Sequence, residues 1–147
     1  MSEQRSSILL GAFLTSMIGG ILLLLCDFAG WYNYGYYVRS WGWIGVSIDT
    51  PLSSMILIIV AICLFYCTYI SYLGLRSGGK LNQQDIRKGL ALAVFAFVIV
   101  AISGLIFSVE MLIEDPSEWW LDTGFYGGFF GSSLTALFFH LTSKSKV

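Results

Sequence analysis

Four long apolar stretches limit the folds that are open to this chain of 147 residues. A helix of about 20 residues crosses the hydrocarbon core of a bilayer with its backbone hydrogen bonds satisfied internally. Only 12% of the residues are charged, whereas a soluble domain has about 25%. We therefore predict an all-α integral membrane protein in which residues 1–147 form one four-transmembrane-helix bundle. The predicted spans are residues 7–26, 52–75, 89–113 and 123–141.

The distribution of charge predicts how these spans are oriented. Of the eight lysines and arginines, all except Arg39 lie before the first span, after the fourth, or in the 76–88 loop. Basic residues accumulate on the cytoplasmic side of membrane proteins. We therefore expect both termini and the 76–88 loop in the cytoplasm, and loops 27–51 and 114–122 outside. The expected location is the plasma membrane.

Two helix starts are marked by residues that favour the N-cap position. Asn82 can accept a hydrogen bond from the first turn of the third helix, which would extend that helix backwards from its apolar run. Asp122 or Thr123 can cap the fourth helix in the same way. We expect the third and fourth helices to begin immediately after these residues.

Small residues form ridges on the first and fourth predicted helices, and Ala96, Gly104 and Ser108 fall on one line of the third, because positions four apart share a helix face. In lipid, close backbone approach over small residues replaces the hydrophobic effect as the force that joins helices. These residues therefore form the predicted helix-packing interface, either within the chain's own bundle or with another protein. On the fourth span they are Gly124, Gly128, Ser132 and Ala136 in one ridge and Gly127, Gly131 and Thr135 in the other; on the first span they include Gly11, Thr15, Gly19 and Gly20.

The first outer loop is unusually rich in tryptophan and tyrosine. By residue type, its segments 31–38 and 41–48 favour strands, and they predict a short β-hairpin that turns at Arg39 and Ser40. Three interpretations are open: an aromatic belt at the membrane surface, a folded cap that docks onto a protein, or a surface that stacks on sugars or lipid headgroups. The candidate interaction residues are Trp31, Tyr34, Tyr36, Trp41, Trp43, Trp119 and Trp120.

Acidic residues gather on the predicted outer side. Glu110 lies about one turn inside the end of the third span, and Glu114 follows on the same helix face. Glu110 is either an interfacial carboxylate that can pair with Arg39, a cation ligand, or part of an ion pathway. The candidate cation site consists of Glu110, Glu114, Asp27 and Asp49.

No pattern in the sequence indicates catalysis or a cofactor. His140 is the only histidine, so the chain has no cluster of histidines for a metal or a haem. Cys26, Cys63 and Cys67 are expected to remain unpaired packing residues, because their predicted positions do not favour a disulfide. We therefore expect no enzyme activity, no cofactor, no metal and no nucleic-acid partner.

Four spans with a longer, aromatic first outer loop resemble the layout of the claudin and PMP22-type tetraspan families. Trp31 and the Trp41-Gly42-Trp43 segment are the nearest match to the tryptophan-containing signature of that loop. The sequence departs from the signature because no cysteine follows Cys26 in the loop. The resemblance implies a surface adhesion or assembly protein.

The leading functional hypothesis is a non-catalytic accessory or scaffold subunit that acts by lateral helix packing in the bilayer. Its expected partners are lipid and either other membrane protein subunits or further copies of itself. The alternatives are a small oligomeric cation channel or transporter with an acidic outer vestibule, and the claudin- or PMP22-like adhesion protein.

Overall fold

The computed structural model describes residues 2–33, 36–41, 51–116 and 118–145. Each predicted span lies within or closely overlaps one helix, so the prediction of a mainly helical bundle is confirmed. The all-α assignment, which allowed a hairpin in the first outer loop, needs one correction, because a strand also occurs in the second outer segment. In chain order the elements are α1 (Ser2–Leu25), β1 (Ala29–Asn33), β2 (Tyr36–Trp41), α2 (Pro51–Arg76), α3 (Gln83–Glu114), β3 (Glu118–Leu121) and α4 (Thr123–Lys144).

Three of these helices are long and apolar enough to cross a membrane, which indicates a membrane protein. The qualifying stretches are Glu3–Leu25 in α1, Met55–Arg76 in α2 and Gln83–Glu114 in α3. The remaining described helix, α4, is long enough to cross a membrane, but its hydropathy is lower than that of the other three. The reason is that glycine, serine and threonine occupy much of its sequence. The small residues that make α4 suitable for packing are therefore the same residues that weaken its apolar character.

The helices form a bundle in which α1 and α3 each pack against both α2 and α4. The most extensive of these contacts joins α1 and α4. Near the sheet the core contains Leu23, Leu57, Val100, Phe107 and Met111. Towards the opposite end a second cluster contains Ala12, Cys67, Ile86, Ala93 and Phe139.

Both predicted helix caps form. The side chain of Asn82 accepts a hydrogen bond from the backbone N–H of Gln84 at 3.2 Å, at the start of α3. Asp122 is the N-cap of α4, and its carboxylate accepts from the N–H of Thr123 at 2.6 Å. A carboxylate at this position also interacts favourably with the helix dipole.

A three-stranded antiparallel sheet closes the end of the bundle at which α1 ends and α4 begins. Its strand order is β2-β1-β3, so β1 lies in the middle and both outer segments contribute. The register pairs Gly30 with Ser40 and with Trp120, and pairs Trp31 with Arg39 and with Trp119. The sequence predicted no strand in the second outer segment.

The predicted hairpin exists, but its predicted turn is wrong. Arg39 and Ser40 lie within β2, and the connection falls between Asn33 and Tyr36. Just before β1, Phe28 O accepts from the N–H of Asp122 at 2.9 Å, so the first outer segment is bonded to the second. Local strand preferences do not contain a contact between two such distant segments. Most of the predicted strand at 41–48 lies outside the described residues.

Candidate functional site

The ridge of α4 formed by Gly127, Gly131 and Thr135 faces α1 at backbone distance. A Cβ atom placed on Gly131 would lie 2.7 Å from the Cα of Gly19 and 3.0 Å from the carbonyl oxygen of Thr15. One placed on Gly127 would lie 2.5 Å from the Cβ of Leu22. Real side chains do not fit at such distances, so these positions on α4 have room only for glycine.

Hydroxyl groups join α1 to both of its neighbouring helices. Thr15 Oγ1 and Thr135 Oγ1 lie 2.9 Å apart, so one of them donates across the α1–α4 contact. Ser16 and Thr68 make a similar 2.8 Å bond between α1 and α2. Such a bond contributes on average about 0.6 kcal/mol in a membrane protein. Since each hydroxyl is also within hydrogen-bond distance of a carbonyl in its own helix, none of these polar groups is left unsatisfied.

The ridge of α4 formed by Gly124, Gly128, Ser132 and Ala136 faces the interior of the bundle. A Cβ on Gly128 would lie 2.7 Å from Leu23 Cδ1 and 3.3 Å from Val100 Cγ2, so this position contacts both α1 and α3. Gly124 lies against the end of α1, where its N–H donates to Asp27 O at 2.9 Å. Ser132 is fully buried, and Ala136 packs against the second core cluster.

The predicted packing residues of α1 meet their counterparts within the same chain. Gly19 and Thr15 contact the ridge of α4, and a Cβ on Gly11 would lie 2.7 Å from the ring of Phe138. Gly20 instead faces Phe65 of α2. The sequence left open whether these ridges pack against the chain's own helices or against another protein. The contacts of the described residues are with the chain's own helices.

A shallow groove remains on the outward side of the α1–α4 seam. Its volume is about 400 Å³, and its lining is almost wholly apolar. Ile18 and Leu22 form one wall, while Tyr126, Phe130 and Leu134 form the other. An apolar groove on this face of the bundle suits contact with hydrocarbon rather than with water.

Aromatic rings attach the outer sheet to the bundle. Phe28 is fully buried and meets Phe125 of α4 edge to face, with ring centroids 5.5 Å apart. Trp31 lies 5.9 Å from Phe107 of α3, and Phe107 in turn lies 6.1 Å from Trp119. Aromatic pairs in such geometries stabilise beyond the area they bury. The sheet is therefore held against α3 and α4.

Gly30 and Trp120 fix the pairing of β1 with β3. A Cβ on Gly30 would lie 2.8 Å from Trp120 Cζ2, so the indole ring lies directly over this glycine. The indole Nε1–H donates to the carboxylate of Asp122 at 3.2 Å. Since Asp122 also caps α4, this ring connects the sheet to the start of the helix.

The predicted interaction residues of the outer loops fall into separate groups. Trp31 and Trp120 are half-buried parts of the fold, whereas Trp119 remains 37% exposed. Tyr32, which the sequence did not single out, is also exposed at 38%, because successive residues of a strand face opposite sides. The side chains of Tyr34, Tyr36, Trp41 and Trp43 lie outside the described part of the structure.

The candidate cation residues are dispersed where they are described. Glu110 and Glu114 are exposed on α3, Asp27 is half-buried at the end of α1, and Asp49 lies outside the described residues. Within the described ranges, no three acidic, histidine or cysteine side chains gather closely enough to hold a metal ion. The four-residue cation site stays a prediction. The three cysteines are free thiols, as expected.

Arg5 is a feature that sequence reasoning missed. Its side chain is only 4% exposed, on the buried face of α1 that also carries Leu9, Ala12 and Ser16. Among the described residues, its Nε and Nη1 have no hydrogen-bond partner. The spacing of Arg5, four residues before Leu9, was the signal that could have placed it on this face.

Neither a known protein family, nor a curated protein, nor a solved structure matches this chain.

Replacing Gly131 with isoleucine should destabilise the single chain. The new side chain would occupy the space of the Gly19 backbone, and overpacking of this kind costs about 1–3 kcal/mol. Phe130→Ile is the matched control, because Phe130 is 56% exposed. Thermal melting of the purified monomer in detergent measures both. Equal melting temperatures for the two variants would contradict the close packing of Gly131 against Gly19.

Replacing Gly30 with valine should displace the Trp120 ring and weaken the sheet. The expected loss of stability is about 1–3 kcal/mol, with loss of the indole hydrogen bond to Asp122. The melting temperature and the indole N–H signal of Trp120 in an NMR spectrum report the two effects. Glu118→Val, an exposed change on β3, should leave both unchanged; an unaltered Trp120 signal in Gly30→Val would refute the assignment.

Proposed function

We propose that this chain is a non-catalytic accessory or scaffold subunit of a larger membrane assembly, and that its outer sheet contacts the partner. One observation carries the proposal: segments from both outer loops form a single sheet that is anchored to the bundle and still exposes Tyr32, Glu118 and Trp119. Tyrosine and tryptophan are the residue types that most often supply binding energy at protein interfaces.

The attachment of the sheet to the bundle supports a role in binding. Phe28 and Trp31 pack against aromatic rings of α4 and α3, and backbone hydrogen bonds join the sheet to the start of α4. A surface that is already ordered loses little conformational entropy when a partner docks. The aromatic side chains of a flat interfacial belt would not need this support.

The short reach of the sheet favours a partner in the same membrane. Its strands contain four to six residues, and they lie directly on the ends of the helices. A surface this close to the bilayer is better placed for a lateral neighbour than for a protein on a facing membrane. We therefore prefer the accessory subunit to the claudin- or PMP22-like adhesion protein.

The channel alternative receives less support from the positions of the acidic residues. Glu110 and Glu114 are exposed on α3, away from the bundle interior through which an ion pathway would run. An acidic surface on the outside of a helix attracts cations without conducting them.

We also propose that α4 is a fourth span and that both termini are cytoplasmic in a plasma-membrane protein. The seam between α1 and α4, from Gly11 and Phe138 to Asp27 and Gly124, supports a helix that crosses with the others. Arg76, Lys80 and Lys144 belong to the end of the bundle opposite the sheet, which supports the inside assignment.

The proposed topology predicts opposite labelling of two introduced cysteines. In a chain whose native cysteines are replaced by alanine, Glu118→Cys should react with an impermeant thiol reagent on intact cells. Lys80→Cys should react only after permeabilisation. The readout is mass spectrometry of the labelled protein. Reaction at position 80 but not at 118 on intact cells would reverse the topology.

Reversing the charge of Glu118 should weaken the proposed assembly without unfolding the chain. Glu118 is exposed on β3, so Glu118→Lys disturbs the sheet surface and not its core. Quantitative cross-linking in native membranes should recover the stoichiometric partner at a level lower by about tenfold or more. The matched control is Glu3→Lys, which makes the same change at the opposite end.

Two outcomes would count against this proposal. Equal recovery of the partner by both variants would show that the sheet surface does not carry the contact. Loss of the partner together with a lowered melting temperature in Glu118→Lys would show that the effect comes from the fold.

A further inference from the structure

Arg5 lies buried near the end of the bundle opposite the sheet. On the same face of α1, Leu9 follows one turn later, and a Cβ on Gly74 would lie 2.7 Å from Leu9 Cδ1 and 2.9 Å from Leu81 Cδ1. Leu9 therefore packs where α2 ends and the segment before α3 begins. Helical side chains lean towards the helix N-terminus, so the guanidinium of Arg5 extends from there towards the end of the bundle.

Many acceptors at this end of the bundle already have donors. At the end of α2, Gly74 O accepts from the N–H of Gly79 at 2.8 Å, and Leu75 O accepts from Gly78 at 3.1 Å. At the end of α4, Leu141 O accepts from Ser145 at 3.0 Å. These bonds satisfy carbonyl groups at the helix ends, and none of them involves the guanidinium of Arg5.

The described carboxylates at this end do not neutralise Arg5 either. Glu3 is exposed, and Asp85 lies 4.0 Å from Lys88. An arginine stays protonated in proteins, so it cannot relieve its burial by losing the proton. A buried cation with unpaired donors is unfavourable unless an anion meets it.

We propose that Arg5 is the centre of a site for a phosphate group at the inner end of the bundle. The planar guanidinium offers five donors in a fork that matches phosphate oxygens. Lys80 and Lys144 are exposed at the same end and attract anions to it. The first turn of α1, which contains Arg5, adds unpaired N–H groups and the positive end of the helix dipole.

The phosphate comes either from the headgroup of an anionic lipid or from a free phosphate ion. The lipid source rests on the proposed membrane topology, because a headgroup lies at the level of the helix ends. The phosphate chemistry itself does not depend on that topology.

The test compares the full chain with two arginine variants in phosphatidylcholine nanodiscs, with and without phosphatidic acid. Phosphatidic acid should raise the melting temperature of the parent chain and of Arg76→Met, which removes an exposed charge at the same end. Arg5→Met should lose this rise and bind the lipid about tenfold more weakly or worse, as measured by native mass spectrometry.

A second arm adds inorganic phosphate to nanodiscs of phosphatidylcholine alone. A rise in melting temperature that depends on Arg5 in this arm identifies a free phosphate ion as a ligand. A rise only with phosphatidic acid identifies the lipid headgroup. Either result supports the site.

Arg5→Lys covers the case in which Arg5→Met fails to fold. It keeps the charge but loses the planar fork, so it should fold and bind phosphatidic acid more weakly than the parent. The proposal is overturned if neither ligand stabilises the parent, or if the foldable Arg5 variants respond as strongly as Arg76→Met. The partner contact of Glu118 is measured separately, so the two proposals can fail independently.

Discussion

The close approach of α1 and α4 is the contact on which the rest of the structure depends. With glycine at both Gly19 and Gly131, the two backbones meet, and the threonine hydroxyls can bond across them. The same approach brings Gly124 within hydrogen-bond distance of the Asp27 carbonyl. Because of that bond, β1 and α4 begin next to each other. A packing contact within the bundle therefore determines where the outer sheet begins.

The sheet in turn depends on rings supplied by the helices. Phe125 of α4 and Phe107 of α3 meet Phe28 and Trp31, while Trp120 covers Gly30. A small sheet is stable only when it has a hydrophobic face or a helix to pack against. The attachment of these strands to the bundle supplies that packing and leaves the opposite face of β1 and β3 available, with Tyr32 exposed.

The helices could be predicted from the sequence because apolar runs and cap residues such as Asn82 and Asp122 are local signals. The hairpin turn was misplaced because its register depends on the contact of Asp122 with Phe28, which the local strand preferences around Arg39 do not contain. The ridges of α4 could be predicted to be a packing surface, but small residues do not indicate which helix packs against them. The spacing of Arg5 and Leu9 could have shown which face Arg5 occupies, but not that its Nε and Nη1 lack acceptors among the described residues.

The two ends of the bundle satisfy their polar groups in different ways. At the sheet end, Asp122 accepts from both a helix N–H and the Trp120 indole. At the opposite end, carbonyl groups near the ends of α2 and α4 accept from backbone N–H groups that follow them in the chain. The described residues leave Nε and Nη1 of Arg5 without acceptors. The sheet end, where these polar groups find partners within the chain, suits recognition through its surface shape and exposed side chains. The opposite end, where two guanidinium nitrogens of Arg5 lack acceptors among the described residues, fits the phosphate group that we propose there.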